Sequence, residues 1–101
     1  MRKNAMWKLF LDDVRNPTED GFTTARSSAQ AIFFVRYAGL PTFISFDHDL
    51  GQEDDAMRFI DFMIEEYYDE DVPDYQVHSA NPVGRDNIVA KMESWKRSQG
   101  L

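Results

Sequence analysis

Four short runs of apolar and β-branched residues, Met6–Leu11, Phe22–Arg26, Thr42–Phe46 and Tyr75–His78, alternate with stretches of helical periodicity over 101 residues. Strands interleaved with helices cannot close into an all-β sandwich, and they favour an α/β sandwich around a largely parallel sheet. The length fits one domain, residues 1–101, with no room for a second. In such a sheet right-handed crossovers put every strand's carboxyl end on one edge, where open α/β sheets bind ligands.

The helices carry their own signals. Ser27-Ser28-Ala29-Gln30 matches a capping box, in which the serine hydroxyl meets the Gln30 amide and the glutamine side chain reaches back. The spacing predicts a helix from there to about Ala38, with Gly39 at C′ and Pro41 barring continuation. From about Glu53 to Tyr68, Ala56, Phe59, Ile60, Met63 and Tyr67 recur at helical spacing with acids between them, and Pro73 ends the stretch. Asn81-Pro82 supplies an N-cap and a proline at N1 for a last helix, with Ile88, Val89, Met92 and Trp95 as its buried face.

Three polar segments leave strands at the ligand-binding edge: Asp12-Asp13-Val14-Arg15, Asp47-His48-Asp49 and His78-Ser79-Ala80-Asn81. Four aspartates, Asp12, Asp13, Asp47 and Asp49, repel one another there unless a cation joins them. Hard carboxylate oxygens in threes or fours suit Mg²⁺ or Mn²⁺. The helix opening at Asn81, with Gly84 in its first turn, offers backbone N–H groups and a positive dipole end to an anion. Arg15 adds a guanidinium for phosphate, and Arg85 is of the same kind. His48 and His78, the only histidines in the chain, bring groups that transfer protons near neutral pH. Metal-binding acids, anion-binding cations and imidazoles together point to phosphoester chemistry. Each segment also has a plainer reading: the Asp pair can end a strand, His48 can be a bonded loop residue, and Asn81 can be an N-cap and nothing more.

Composition narrows the alternatives. The absence of cysteine removes thiolate metal sites, disulfides and thiol nucleophiles. A net charge of −7 opposes binding to duplex nucleic acid, which needs a basic surface. The charge is uneven: between Asp47 and Asp74 twelve carboxylates face one arginine, Arg58, a local −11 that leaves +4 for the rest. Residues 65–74 read as a solvated acidic face. The longest apolar run, Ala31–Val35, is far short of the ~20 residues that a membrane span needs. Lys8 and Asp12-Asp13 interrupt the opening MRKNAMWKLFLDD before it becomes a signal peptide. The expectation is a cytoplasmic protein with no membrane partner.

Leu9-Phe10-Leu11-Asp12-Asp13-Val14-Arg15-Asn16-Pro17, Thr24-Ala25-Arg26-Ser27, Ser45-Phe46-Asp47-His48-Asp49-Leu50-Gly51 and Val77-His78-Ser79-Ala80-Asn81-Pro82-Val83-Gly84 together resemble the cyclic-phosphate processing receiver-like domains found in bacteriophages and bacteria. The resemblance runs from about Leu9 to Asn87. It implies a small flavodoxin-like or receiver-like three-layer fold with strand order 2-1-3-4, and a bacterial or phage-infected cytoplasm. By likeness to receivers, Asp12 and Asp13 match the acidic pair that binds Mg²⁺, Asp47 matches the phosphoacceptor, and Ser79 falls near the switch hydroxyl. No fifth strand brings a receiver's lysine. The segment between Asp13 and Phe22 is too short for a full first helix, which leaves the direction of the second strand open.

Residues and resemblance together imply metal-dependent hydrolysis of a small cyclic phosphate, such as a cyclic nucleotide or an RNA 2′,3′-cyclic end. In that reading Asp12, Asp13, Asp47 and Asp49 hold the metal. His78 donates a proton to the leaving oxygen, and His48 orients water or pairs with an aspartate. Arg15, Ser79, Asn81 and Gly84 bind the ligand, with Asp47 and Arg15 also counted among the catalytic groups. Two rivals stand beside it. One is a binding protein that sequesters a cyclic nucleotide or docks on a host protein through acidic residues 53–74, and the other is a phosphoacceptor receiver.

Overall fold

A computed structural model describes residues 6–100 of the chain; residues 1–5 and 101, part of the expected single domain, lie outside them. The elements are β1 (Lys8–Leu11), β2 (Phe22–Ala25), α1 (Ser28–Ala38), β3 (Phe43–Phe46), α2 (Ala56–Glu66), β4 (Asp74–Val77) and α3 (Pro82–Ser98). The four strands form one parallel sheet in the order β2-β1-β3-β4. This is the receiver-like α/β topology anticipated from the sequence. β2 runs parallel to β1 even though the intervening residues 12–21 contain no helix.

Strand alternation divides the side chains between two faces. Leu9, Leu11, Ala25, Ile44 and Phe46 turn to one face and join a single buried cluster with Ala31 and Val35 of α1, Phe59, Ile60 and Met63 of α2, and Ile88, Met92 and Trp95 of α3. Fully burying a side chain of this size contributes about 1.5–3 kcal/mol, so this cluster is the main source of stability. Phe10, Phe22 and Phe43 turn to the other face and take no part in the cluster. All three helices therefore pack on one side. Among the described residues the fold has two layers where three were expected, because the β1–β2 connection is too short to lay a helix on the second face.

The caps behave as the sequence foretells. Ser27 Oγ accepts the Gln30 N–H at 3.1 Å, and Gln30 Oε1 accepts the N–H of Arg26 at 2.7 Å, one residue before the cap. Asn81 caps α3 through the Gly84 N–H. The boundaries shift elsewhere. Helix α2 starts at Ala56 and not at Glu53, because Gln52 and Glu53 take φ of 44° and 65° and Asp55 provides the cap. It ends at Glu66, two residues before Tyr68. Met6, expected at the head of a buried strand, is 89% exposed, and Val89 lies off the buried face of α3. Strand β4 begins at Asp74 and releases His78 to the edge.

Candidate functional site

The carboxyl ends of β1, β3 and β4 bring Asp12, Asp47 and His78 into one row. The N–H groups of Asp12 and Asp47 bond to Ala25 O and Leu11 O, and that of His78 bonds to Phe46 O, so the ladder extends one step past each strand. Alternation turns these three side chains to the helix-free face. Asp13 follows Asp12 into the loop, and one carboxylate oxygen from each of Asp12, Asp13 and Asp47 lies within 4.8 Å of the others.

Asp12 is fully buried and organises the loop around itself. Its Oδ1 accepts the N–H groups of Val14 at 2.9 Å and Arg15 at 2.7 Å, in the manner of an Asx turn. Its Oδ2 meets Arg15 Nε and His78 Nε2, each at 3.0 Å. Burial opposes ionisation of Asp12, but the two backbone N–H groups, with His78 and Arg15, outweigh it and hold the carboxyl below the usual range. Asp47 has the opposite balance. Burial and the charge of Asp12 push its carboxyl up, against weaker help from His78 and Arg15. Arg15 Nη2 stands 3.8 Å from Asp47 Oδ2, so this half-exposed guanidinium spans both acids.

His78 is held from three sides. Its ring stacks on Phe10, 4.7 Å between centroids and 4° between planes. Nδ1 meets Ser45 Oγ at 2.8 Å, and Ser45 Oγ also accepts Gln76 Nε2 at 3.0 Å. Nε2 is thereby turned to Asp12. Ser45, Phe10 and Gln76 were not picked out by sequence reasoning. The available signal was a serine inside the otherwise apolar, β-branched stretch Thr42–Phe46, at the parity of Asp47.

His48, Asp49, Asn81 and Gly84 form a second group. His48 Nδ1 lies 2.9 Å from Asp49 Oδ1, and Asn81 Nδ2 donates to Asp49 Oδ2 at 3.2 Å. These two bonds hold the exposed Asp49 carboxyl below its usual range. Asp49 is thus apart from the cluster of Asp12, Asp13 and Asp47. Gly84 gives its N–H to the Asn81 side chain, and the His48 ring lies over it: a Cβ there would stand 2.7 Å from His48 Nδ1 and 2.8 Å from His48 Cβ. The start of α3 therefore serves first as a seat for His48. Ser79 is buried, with its Oγ accepting the N–H of Asn81 at 3.1 Å, and Arg85 donates to Ser79 O at 3.1 Å.

Two further residues brace the edge. Arg26 donates to Asp12 O at 3.2 Å and Arg15 O at 2.6 Å, and also meets Asn16 Oδ1. Asp54 accepts the N–H of Ser28 at 2.8 Å and its hydroxyl at 2.5 Å, tying the β3–α2 loop to α1. Gly51, at φ 77°, lets that loop approach Asp13: an added Cβ would lie 3.2 Å from Asp13 Oδ2.

The donor set fits a hard divalent cation: three carboxylates converge, two of them buried, and one is raised in pKa by burial and then by its neighbour's charge. No helix among the described residues is long and apolar enough to cross a membrane. A family model described as a cyclic-phosphate processing receiver domain matches residues 7–94. No curated protein and no solved structure matches the chain.

Proposed function

The chain belongs to the cyclic-phosphate processing receiver domain family, and on that premise we propose that it hydrolyses a small cyclic phosphodiester to a monoester at the Asp12–Asp13–Asp47 cluster. The observation that carries the reading is the convergence of those three carboxylates beside His78 and Arg15. Asp12, Asp13 and Asp47 would hold Mg²⁺ or Mn²⁺. When bound, such a cation supplies charge against the phosphoryl oxygens and helps ionise the attacking water.

The remaining chemistry falls to the chain. Water adds to phosphorus, one ring P–O bond breaks, and the oxygen released takes a proton. His78 is the donor in this proposal: Ser45 and Phe10 fix its ring so that Nε2 faces the acids, where a leaving oxygen would replace Asp12 Oδ2 as its partner. Arg15 keeps a half-exposed guanidinium over the cluster, placed to meet charge developing on the phosphoryl oxygens. Asp49 and His48 serve as a bonded pair that locks the β3–α2 loop against α3, with Asn81 and Gly84 completing the lock.

The test is an incubation of purified protein with Mg²⁺ and 2′,3′-cyclic mononucleotides, followed for monoester formation. Turnover by the wild type and none by Asp47→Asn supports hydrolysis. Equal turnover by both rules it out. One second reading has an observation behind it: both ring nitrogens of His78 are engaged within the protein, which favours capture without turnover. Stoichiometric binding with the ligand recovered intact would select that reading.

A further inference from the structure

We propose that the helix-free face of the sheet is a stacking platform for a short single strand of RNA, whose terminal phosphate ester enters the aspartate cluster. The inference rests on the phosphoester reading above and adds the substrate class: a strand end, not a free mononucleotide.

Three rows of side chains lie on this face, fixed by the parallel register. Phe22, Lys8, Phe43 and Asp74 form the row farthest from the site. Thr24, Phe10, Ser45 and Gln76 form the middle row. Asp12, Asp47 and His78 lie beyond them at the carboxyl edge. The aromatic rings run continuously from the site downward. His78 stacks on Phe10, Phe10 meets Phe22 edge-on at 5.8 Å, and Phe22 meets Phe43 at 6.1 Å. Phe22 and Phe43 are half-buried and stand outside the core cluster, so their exposed surfaces have no partner among the three helices. Partly exposed aromatic rings beside a polar site form a surface on which a ligand can stack.

Cations border the rings. Lys8 lies 4.5 Å from the centre of the Phe22 ring, and Arg26 and Arg15 border the upper row. The exposed acids Glu65, Glu66, Asp69, Glu70 and Asp71 belong to the end of α2 and the loop behind it, while Asp74 sits at the β4 end of the lowest row. Rings flanked by cations suit stacked bases with a phosphate backbone. Spacing then selects the ligand. Four residues separate Asp12 from Lys8, roughly 13 Å along a strand. A mononucleotide held by its phosphate at the cluster does not reach Phe22 and Phe43, whereas the next nucleotide of a strand does.

The experiment compares two probes in Mg²⁺: a 5′-labelled oligouridine octamer ending in a 2′,3′-cyclic phosphate, followed by anisotropy, and 2′,3′-cyclic UMP, followed by competition and by turnover. The octamer's end carries a phosphate whether cleaved or intact. The expected result is that the octamer binds at least tenfold more tightly than cyclic UMP, with a log–log salt slope between about −1.4 and −2.1 for two or three backbone contacts. Phe22→Ala with Phe43→Ala should weaken the octamer about tenfold or more, as lost base stacking does, and leave cyclic UMP unaffected. Phe22→Tyr with Phe43→Tyr should restore binding. Lys8→Glu, which keeps every ring, should also weaken the octamer and guards against a folding defect in the double alanine variant. Equal affinity for both probes, or equal weakening of both by the alanines, overturns the platform. So does a wild-type dimer that the alanines dissolve, since the face would then belong to a second copy of the chain. If octamer binding depends on the rings while cyclic UMP is never turned over, the platform stands and the hydrolytic reading falls.

Discussion

Asp12, Asp13 and Asp47 crowd their carboxylates to within 4.8 Å, two of them buried, while Glu65, Glu66, Asp69, Glu70 and Asp71 spread over the exposed end of α2 and its loop. Both regions are acidic, and only one is costly to keep so. In the exposed region water solvates each charge, and ion pairs such as Lys91 with Asp61 at 3.0 Å add little. In the cluster the fold supplies what water cannot. Backbone N–H groups and Arg15 keep Asp12 ionised, yet they leave Asp47 with a raised pKa beside it. The residual repulsion is what a divalent cation relieves. Charge count alone therefore says nothing about a site, whereas enforced proximity does.

The contrast breaks most visibly in activity. Asp47→Asn should reduce turnover of 2′,3′-cyclic nucleotides below detection, measured by monoester release, while Glu65→Gln with Glu66→Gln retains the wild-type rate. His78→Ala should cost roughly 10²–10⁴-fold if it transfers a proton. A loss confined to a few-fold would reduce His78 to a buttress for Asp12.

Stability sharpens the same contrast. Mg²⁺ at a hundred times its dissociation constant should stabilise the wild type by about 2.7 kcal/mol. In a chain of this size that raises Tm by roughly 10–20 °C. The Asp47→Asn protein should gain little, and the Glu65→Gln, Glu66→Gln protein should gain as much as wild type. The pH dependence follows from the two shifts. Asp12, lowered in the folded state, contributes stability above the ordinary carboxylate range, and this is lost as pH falls through its lowered pKa. Asp47, raised, costs the metal-free protein stability once ionised, and that cost is relieved as pH falls through its raised pKa. The Mg²⁺ increment in a thermal melt should therefore shrink on acidification as Asp47 takes up its proton.

Gly84→Ala tests the seat of His48. An added methyl collides with that ring, so the variant should lose about 1–3 kcal/mol in denaturant unfolding, as overpacked sites do. Val89→Ala, at a half-exposed position of the same helix, should cost much less. The smallest effect belongs to the solvated acids: Glu65→Gln and Glu66→Gln should each stay within about 0.5 kcal/mol of wild type.

Much of this was legible in the residues. The strand–helix alternation, the Ser27–Gln30 box and the Asn81 cap are local signals, and the structure honours them. The strand order and the gathering of Asp12, Asp47 and His78 at one edge follow from parallel topology. Two things escaped because they depend on contacts distant in sequence. Asp49 looks like a fourth acid of the cluster, but Asn81, 32 residues away, joins the adjacent His48, already a candidate partner for an aspartate, in drawing its side chain off. Ser45 looks like a stray polar residue in a buried strand, and only the arrival of β4 beside β3 gives it His78. The number of layers was misjudged for a related reason: a ten-residue crossover without a helix can still deliver a parallel strand.

The central claim is that the three aspartates act as one metal-dependent phosphoester site. ³¹P NMR of a 2′,3′-cyclic nucleotide tests it most directly, with wild type and Asp47→Asn each followed with and without Mg²⁺. The expected result is a monoester resonance replacing the cyclic one only with wild type and Mg²⁺ together. An unchanged cyclic resonance in all four samples, or equal conversion by Asp47→Asn, would contradict it.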